Sequence, residues 1–351
     1  MIRSKEMIVS EKTNKSQYWQ MIRGICILAV IMIHCPNAIG LSTGEFSVWM
    51  VLRQLINFPV ALFVFMAGYF VNMDKIEKDS CAYLLNRGGR LLVPYLVWSI
   101  LYLTKDYVLS GGNVSIRHII YSLCFGKAAA PLYYIVVMIQ LTMLTPWLIK
   151  VKNRRWLYAV TPIYLVLLYV FNISAGEMPR LYETFFPAWF LFYILGMDCR
   201  NGKWNNVISK IKKRYIIIAF VISVIEAVIL MKAGCSAGFA SSQIKFSSFI
   251  YIVVIALVLM KAKDNGKQEN GKIQRLLSSI GDCSYSIFYV HMLVLMVARK
   301  VVALAGLSQI WIVNFVGCFI LTACGSYLVV YGAGKFAERI GAEKYLKIIG
   351  F

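Results

Sequence analysis

The sequence predicts an all-α fold: a polytopic transmembrane helical bundle of about ten helices with both termini cytoplasmic. Three observations predict it. Of the 351 residues, 60% are hydrophobic and only 15% are charged, with a mean hydropathy of +0.68. A soluble domain of this length needs far more polar surface. Apolar stretches of about 18 or more residues recur along the whole chain, as spanning helices require. They are continuous rather than alternating, which argues against the ten-residue strands of a β-barrel.

The expected spans are 21–39, 48–71, 91–109, 132–149, 157–173, 185–197, 215–230, 246–260, 280–298 and 310–333, of which the sixth is short. Pro94, Pro131, Pro146, Pro162 and Pro187 are read near helix ends or first turns, where a missing N–H costs little. An even number of spans puts both termini on one side. The connections on that side, with the tails, hold 28 of the 37 Lys and Arg residues, so the positive-inside rule makes it the cytoplasmic face. This gives an N-terminal tail over 1–20, a membrane domain over 21–333 and a C-terminal tail over 334–351. The polar stretch 261–272, with Gly266 and Gly271, reads as a flexible cytoplasmic loop. The outer stretch 115–125 reads as a short interfacial helix. No internal repeat is visible.

The net charge of +21 lies in short connections between apolar segments, which removes the case for a nucleic-acid partner. The first apolar run is long and lacks a small-x-small cleavage site, so it is not read as a signal peptide. The nine cysteines are scattered without a Cys-x-x-Cys pair and support neither a disulfide framework nor a metal site.

Ionisable residues inside an apolar layer are costly and point to function by default. Arg23 opens the first span and His34 follows eleven residues later, roughly 16 Å deeper at 1.5 Å per residue, near the midplane. His291 reaches similar depth behind the polar start Asp282-Cys283-Ser284-Tyr285-Ser286, and Glu226 does so in the seventh span. Each has a plain alternative, a neutral side chain hydrogen-bonding a neighbouring helix. His118 falls in an outer loop and reads as surface. Arg87 and Arg90 stand at the mouth of the third span. They read either as anchors for lipid phosphates or as a clamp holding phosphate oxygens bidentately.

Taken in order, these motifs resemble the membrane-bound acyltransferase-3 family, bacterial integral-membrane O-acyltransferases of about ten helices. The marks are Arg23-x10-His34, the run Phe58-Pro59 to Ala67-Gly68-Tyr69-Phe70, and Arg87-x-x-Arg90-Leu91 leading to Pro94-Tyr95. Next come Pro131-Leu132-Tyr133-Tyr134-Ile135, Leu144-Thr145-Pro146, and Ser284-Tyr285-Ser286 leading to His291. They cover nearly the whole chain. Ala67 stands where relatives often carry Ser, and Tyr133 or Tyr134 where they often carry Trp. No hydrolase-like domain is expected after the last span.

The resemblance implies transfer of an acyl group, acetyl by prevalence in the family, from cytoplasmic acyl-CoA. The acceptor it implies is a hydroxyl of a cell-surface glycan or its lipid-linked precursor, at a bacterial cell membrane. It makes acyl-CoA a donor substrate, with no cofactor bound permanently and no metal; the other partners are the glycan or lipid-linked sugar and membrane lipids. His34 is then the base or a transient acyl carrier, with His291 and Glu226 as further catalytic candidates. Arg23, Arg87 and Arg90 hold the phosphates of the donor, and Asp282, Ser284 and Tyr285 line its path. The alternatives are a transporter for a small polar solute, which midplane charges suit equally, and a structural or sensor subunit whose polar residues hold the bundle together.

Overall fold

The computed structural model describes residues 2–36, 43–175, 181–264 and 271–351. Among them the chain is helical throughout, with no strand. In order the helices are α1 (Ile2–His34), α2 (Thr43–Leu55), α3 (Pro59–Tyr69), α4 (Met73–Lys78), α5 (Ser80–Leu109) and α6 (Ile116–Phe125). There follow α7 (Tyr133–Lys150), α8 (Val160–Ala175), α9 (Phe190–Arg200), α10 (Asn205–Lys210), α11 (Arg214–Lys232) and α12 (Ala237–Ala240). The last five are α13 (Phe246–Asp264), α14 (Lys272–Asp282), α15 (Ser284–Leu304), α16 (Trp311–Ile340) and α17 (Glu343–Ile348).

Among the described residues, seven helical stretches are long and apolar enough to cross a membrane: Ser47–Tyr69, Ala130–Lys150, Arg155–Ala175, Arg214–Lys232, Phe246–Lys263, Ser284–Leu304 and Trp311–Ile340. This is fewer than the ten expected. The first expected span shares α1 with a polar N-terminal half, and its last residues, 37–39, lie outside the described residues. The third lies in α5, whose apolar centre is flanked by Arg87, Arg90, Lys105 and Asp106. The sixth is α9, only 11 residues long. Its residues from Phe192 to Cys199 are all buried, so it is wrapped by protein.

Proline positions differ in part from expectation. Pro131, Pro162 and Pro187 do stand at helix starts, but Pro94 and Pro146 are inside α5 and α7. Neighbouring helices and side chains make such interior prolines tolerable in membrane helices. The helix expected at 115–125 forms as α6, opened by Ser115, whose Oγ accepts from the His118 N–H at 3.2 Å, and closed by Gly126 at φ +65°. The stretch read as a loop at 261–272 is helical up to Asp264, and residues 265–270 lie outside the described residues. The expected start of the ninth span falls instead on α14, which ends at Asp282; α15 begins at Ser284.

Two glycine contacts set the closest helix approaches. A Cβ on Gly24 of α1 would overlap the Leu277 carbonyl of α14, and one on Gly281 would overlap the Gln20 carbonyl. Likewise a Cβ on Gly68 of α3 would run into Tyr193 O, and one on Gly196 of α9 into Phe65 O. Small residues let backbones touch where lipid supplies no hydrophobic drive between helices. The first contact fixes the Arg23 end of α1, and the second seats α3 on α9. Because backbone carbonyls are the obstacles, Gly196→Ala must push α3 and α9 apart. It is expected to destabilise the detergent-solubilised protein by about 1–3 kcal/mol, and an unchanged thermal midpoint would show that the contact is slack.

Candidate functional site

The helix pair α2 and α3 is one interrupted span. Pro59 starts α3 and lacks an N–H for the preceding turn, so the chain opens at residues 56–58. The Leu55 carbonyl that Pro59 cannot serve accepts instead from the Tyr251 hydroxyl at 3.1 Å, and side chains tie the opening to the neighbouring turn. Asn57 Nδ2 donates to Ser241 O at 3.1 Å, Ser242 O at 3.3 Å and Gln54 Oε1 at 3.3 Å, while Gln54 Nε2 donates to Ala240 O at 3.4 Å. The Ser223 hydroxyl donates to Gln54 Oε1 at 2.9 Å.

Two cavities lie along this broken span. The larger, about 440 Å³, is lined by Arg23, Arg87, Arg90, Ser284 and Tyr285, together with Met66, Ala67 and Phe70 of α3. The smaller, about 150 Å³, is lined by His34, Arg53, Tyr133, Glu183 and Gln243. Phe63, Tyr134 and Phe288 line both. Their rings are neighbours, with centroids 6.2 Å apart for Phe63–Tyr134 and 5.7 Å for Tyr134–Phe288. The two spaces therefore meet at an aromatic neck.

Five of the residues singled out for donor binding thus share one cavity. Arg23 lies over the Phe70 ring at 5.6 Å and donates to Gln20 Oε1 at 3.2 Å. Arg87 has a buried Nε without a hydrogen-bond partner, and Arg90 is exposed. The Tyr285 hydroxyl donates to Arg90 O at 3.0 Å, tying α15 to α5. The sixth residue, Asp282, lines a separate cavity of about 350 Å³ with Glu338 of α16 and Phe351. The chain end packs there: Trp98 Nε1 donates to Ile349 O at 3.0 Å, and Phe351 stacks on Trp98 at 5.8 Å.

His34 is the last residue of α1, and its carbonyl accepts from Arg299 Nη2 of α15 at 2.7 Å. A cationic side chain on a terminal carbonyl complements the helix end. The structure brings His34 and His291 together, their ring centroids 5.7 Å apart. His291 is fully buried, and its Nδ1 lies 3.1 Å from Ile287 O. A carbonyl can only accept, so Nδ1 carries the proton and Nε2 is the bare nitrogen. That Nε2 is buried with no hydrogen-bond partner. His118 is exposed, as expected of a surface residue.

Glu226 does not line the His34 cavity. It accepts from the hydroxyls of Tyr169 and Ser247, from the Ser247 N–H at 3.0 Å, and from Lys245 Nζ at 3.4 Å. Lys245 is fully buried and also donates to Ser223 O at 2.9 Å. This ion pair braces the polar patch behind the broken span. Lys245, Arg53, Glu183 and Gln243 escaped the reading of the sequence, although Arg53 carried a signal as the one charged residue within Ser47–Tyr69. No group of three or more His, Cys, Asp or Glu side chains able to hold a metal occurs among the described residues.

Fold and site together define a multi-pass helical membrane protein with two adjoining cavities in its interior. A family model described as an acyltransferase domain, Acyl_transf_3, matches residues 16–331. The chain belongs to the acyltransferase-3 family. No curated protein and no solved structure gives a significant match.

The pairing of Lys245 with Glu226 yields a stability test. Lys245→Met leaves a partly buried carboxylate short of its cation and is expected to cost about 1–3 kcal/mol. Adding Glu226→Gln should recover part of that loss. Thermal unfolding of both variants checks it; a double variant no more stable than the single one would show the two groups to be uncoupled.

Proposed function

We propose that this chain is an integral-membrane O-acyltransferase that moves an acyl group, acetyl by prevalence in its family, from acyl-CoA to a hydroxyl of a cell-surface glycan or its lipid-linked precursor. The observation that carries this reading is the meeting of an arginine-rich cavity with the His34 cavity at one neck. A donor with a phosphate-bearing nucleotide and a long thioester arm suits the first. Arginine holds phosphate oxygens through paired N–H groups, which is the role of Arg23, Arg87 and Arg90. The arm then threads past Phe63, Tyr134 and Phe288 toward His34.

At the neck the chemistry is acyl transfer. The acceptor oxygen attacks the thioester carbonyl carbon while its proton passes to a ring nitrogen of His34. The C–S bond breaks, and the sulfur leaves as thiolate and takes up a proton as free CoA. His291 is a positioning residue: its bare Nε2, unpartnered in the resting structure, becomes the acceptor for the second ring nitrogen of His34 when that ring turns onto substrate, and so selects the tautomer that can act as base. Ser284 and Tyr285 line the donor path, Asp282 stands beside it, and Glu226 is structural in this scheme. The protein lies in a bacterial cell membrane with both termini cytoplasmic. The basic bias of one set of connections supports this, and it puts the arginine cavity on the side where acyl-CoA is found.

Two cavities across a neck also suit a carrier for a small polar solute. Purified protein that consumes acetyl-CoA favours the enzyme, whereas solute flux into liposomes without any acyl-CoA favours the carrier.

Two variants test the roles. His34→Ala is expected to lower kcat by at least about a hundredfold, the lower bound for losing a general base, with insertion unchanged; substantial remaining turnover would remove His34 from the chemistry. Arg87→Ala is expected to raise KM for acetyl-CoA about ten- to hundredfold with kcat little changed, the equivalent of one lost hydrogen bond to a charged group. An unaltered KM would leave Arg87 as a membrane anchor.

A further inference from the structure

The His34 cavity contains a cation, Arg53, that has no ion-pair contact with any described residue. Its Nη1 is buried without a hydrogen-bond partner. The carboxylate in the same cavity, Glu183, is already engaged, accepting from Lys127 Nζ at 3.1 Å. Gln243, itself buried, lines the same cavity. Its Nε2 donates to the Tyr133 hydroxyl at 3.2 Å, which orients the amide and leaves Oε1 buried and unpartnered. Having accepted from Gln243, the Tyr133 hydroxyl keeps its own proton to donate.

Burying an arginine or an amide oxygen without partners is costly, and native interiors rarely leave two such groups on one cavity. Here they face one space. About 150 Å³ holds about five waters, or one small polar ring. The cationic group calls for a carboxylate or phosphate, which arginine binds through two parallel N–H bonds. The bare Gln243 oxygen and the Glu183 carboxylate call for hydroxyl donors.

We infer that this cavity is a subsite for a small hydroxyl-bearing ring that also carries an anionic group, with Arg53 gripping the anion and Gln243, Tyr133 and Glu183 reading hydroxyls. That the ring is the acyl acceptor rests on the function proposed above; that the cavity binds an anion does not. The anion is either a carboxylate on the ring or a phosphate linked to it, and both present the same charged oxygens to Arg53. Arg53 and Gln243 act on specificity and do not take part in bond making.

The test uses the full chain in nanodiscs and calorimetric titration with glucuronate, glucose 1-phosphate and methyl glucoside, with no donor present. At least one of the two anions is expected to bind about tenfold tighter than methyl glucoside, the lower end of what a hydrogen bond to a charged group supplies. Preference for glucuronate alone assigns a carboxylate, and preference for glucose 1-phosphate alone assigns a phosphate. Arg53→Gln should abolish the preference while acetyl-CoA binding stays unchanged, and Arg53→Lys should keep part of it. Equal binding of all three by the unaltered protein, or no binding of any, overturns the inference, as does a preference that survives in Arg53→Gln. Absence of acetyl-CoA binding and turnover in the same preparation would instead overturn the acyltransferase reading, with the anion result standing by itself.

Discussion

The arrangement depends on one constraint: a helix interrupted within an apolar layer must have its freed polar groups satisfied by protein. The break before Pro59 creates that demand. The Tyr251 hydroxyl meets it by donating to Leu55 O at 3.1 Å, the carbonyl that Pro59 cannot serve, while Asn57 bonds the carbonyls of Ser241 and Ser242. Those serine carbonyls belong to the turn joining α12 to α13, which Lys245 pins to Ser223 and Glu226. The ion pair, the turn and the broken helix therefore form one unit. Its product is an interrupted span, with Arg53 on the His34 cavity before the break and Phe63, Met66, Ala67 and Phe70 along the larger cavity after it.

The glycine contacts complete the frame. Gly24 and Gly281 bring α1 against α14 closely enough that Arg23 opens onto the cavity also lined by α15. Gly68 and Gly196 do the same for α3 and α9. In both pairs each glycine faces a backbone carbonyl of the other helix, so the separation is set by main chain and does not shift with side-chain rotamers.

Much of this was legible in the sequence, for reasons that differ by element. Hydropathy marks the seven long apolar stretches because each must satisfy lipid over its full length. It fails for α9, whose 11 residues are surrounded by protein and need not match the membrane. In α5 charged residues crowd both ends of the apolar run, so composition alone leaves it outside the seven. The motif order identified the family, and the donor-side residues Arg23, Arg87, Arg90, Ser284 and Tyr285 do converge, while Asp282 lies in the next cavity. Equal depth correctly linked His34 with His291 but also suggested Glu226. Depth says nothing about which way a side chain turns around its helix, and Glu226 turns toward Lys245. Arg53 was hidden by averaging, because one charge among so many apolar neighbours barely lowers the mean. Gln243 and Lys245 lie in a connection, where polar residues attract no notice until the turn is seen to fold inward.

The three rings shared by the two cavities have a further consequence. A protein whose interior opens from both ends risks becoming a pore, and a pore would discharge the cell's electrical gradient. Phe63, Tyr134 and Phe288 form an insulating layer only one side chain thick: an ion crossing it would have to shed its water against ring faces that offer little in return. A slender uncharged thread can pass between such faces without that cost. In the function proposed, the neck would thus separate permeation from reach, admitting a flexible arm while holding back hydrated ions.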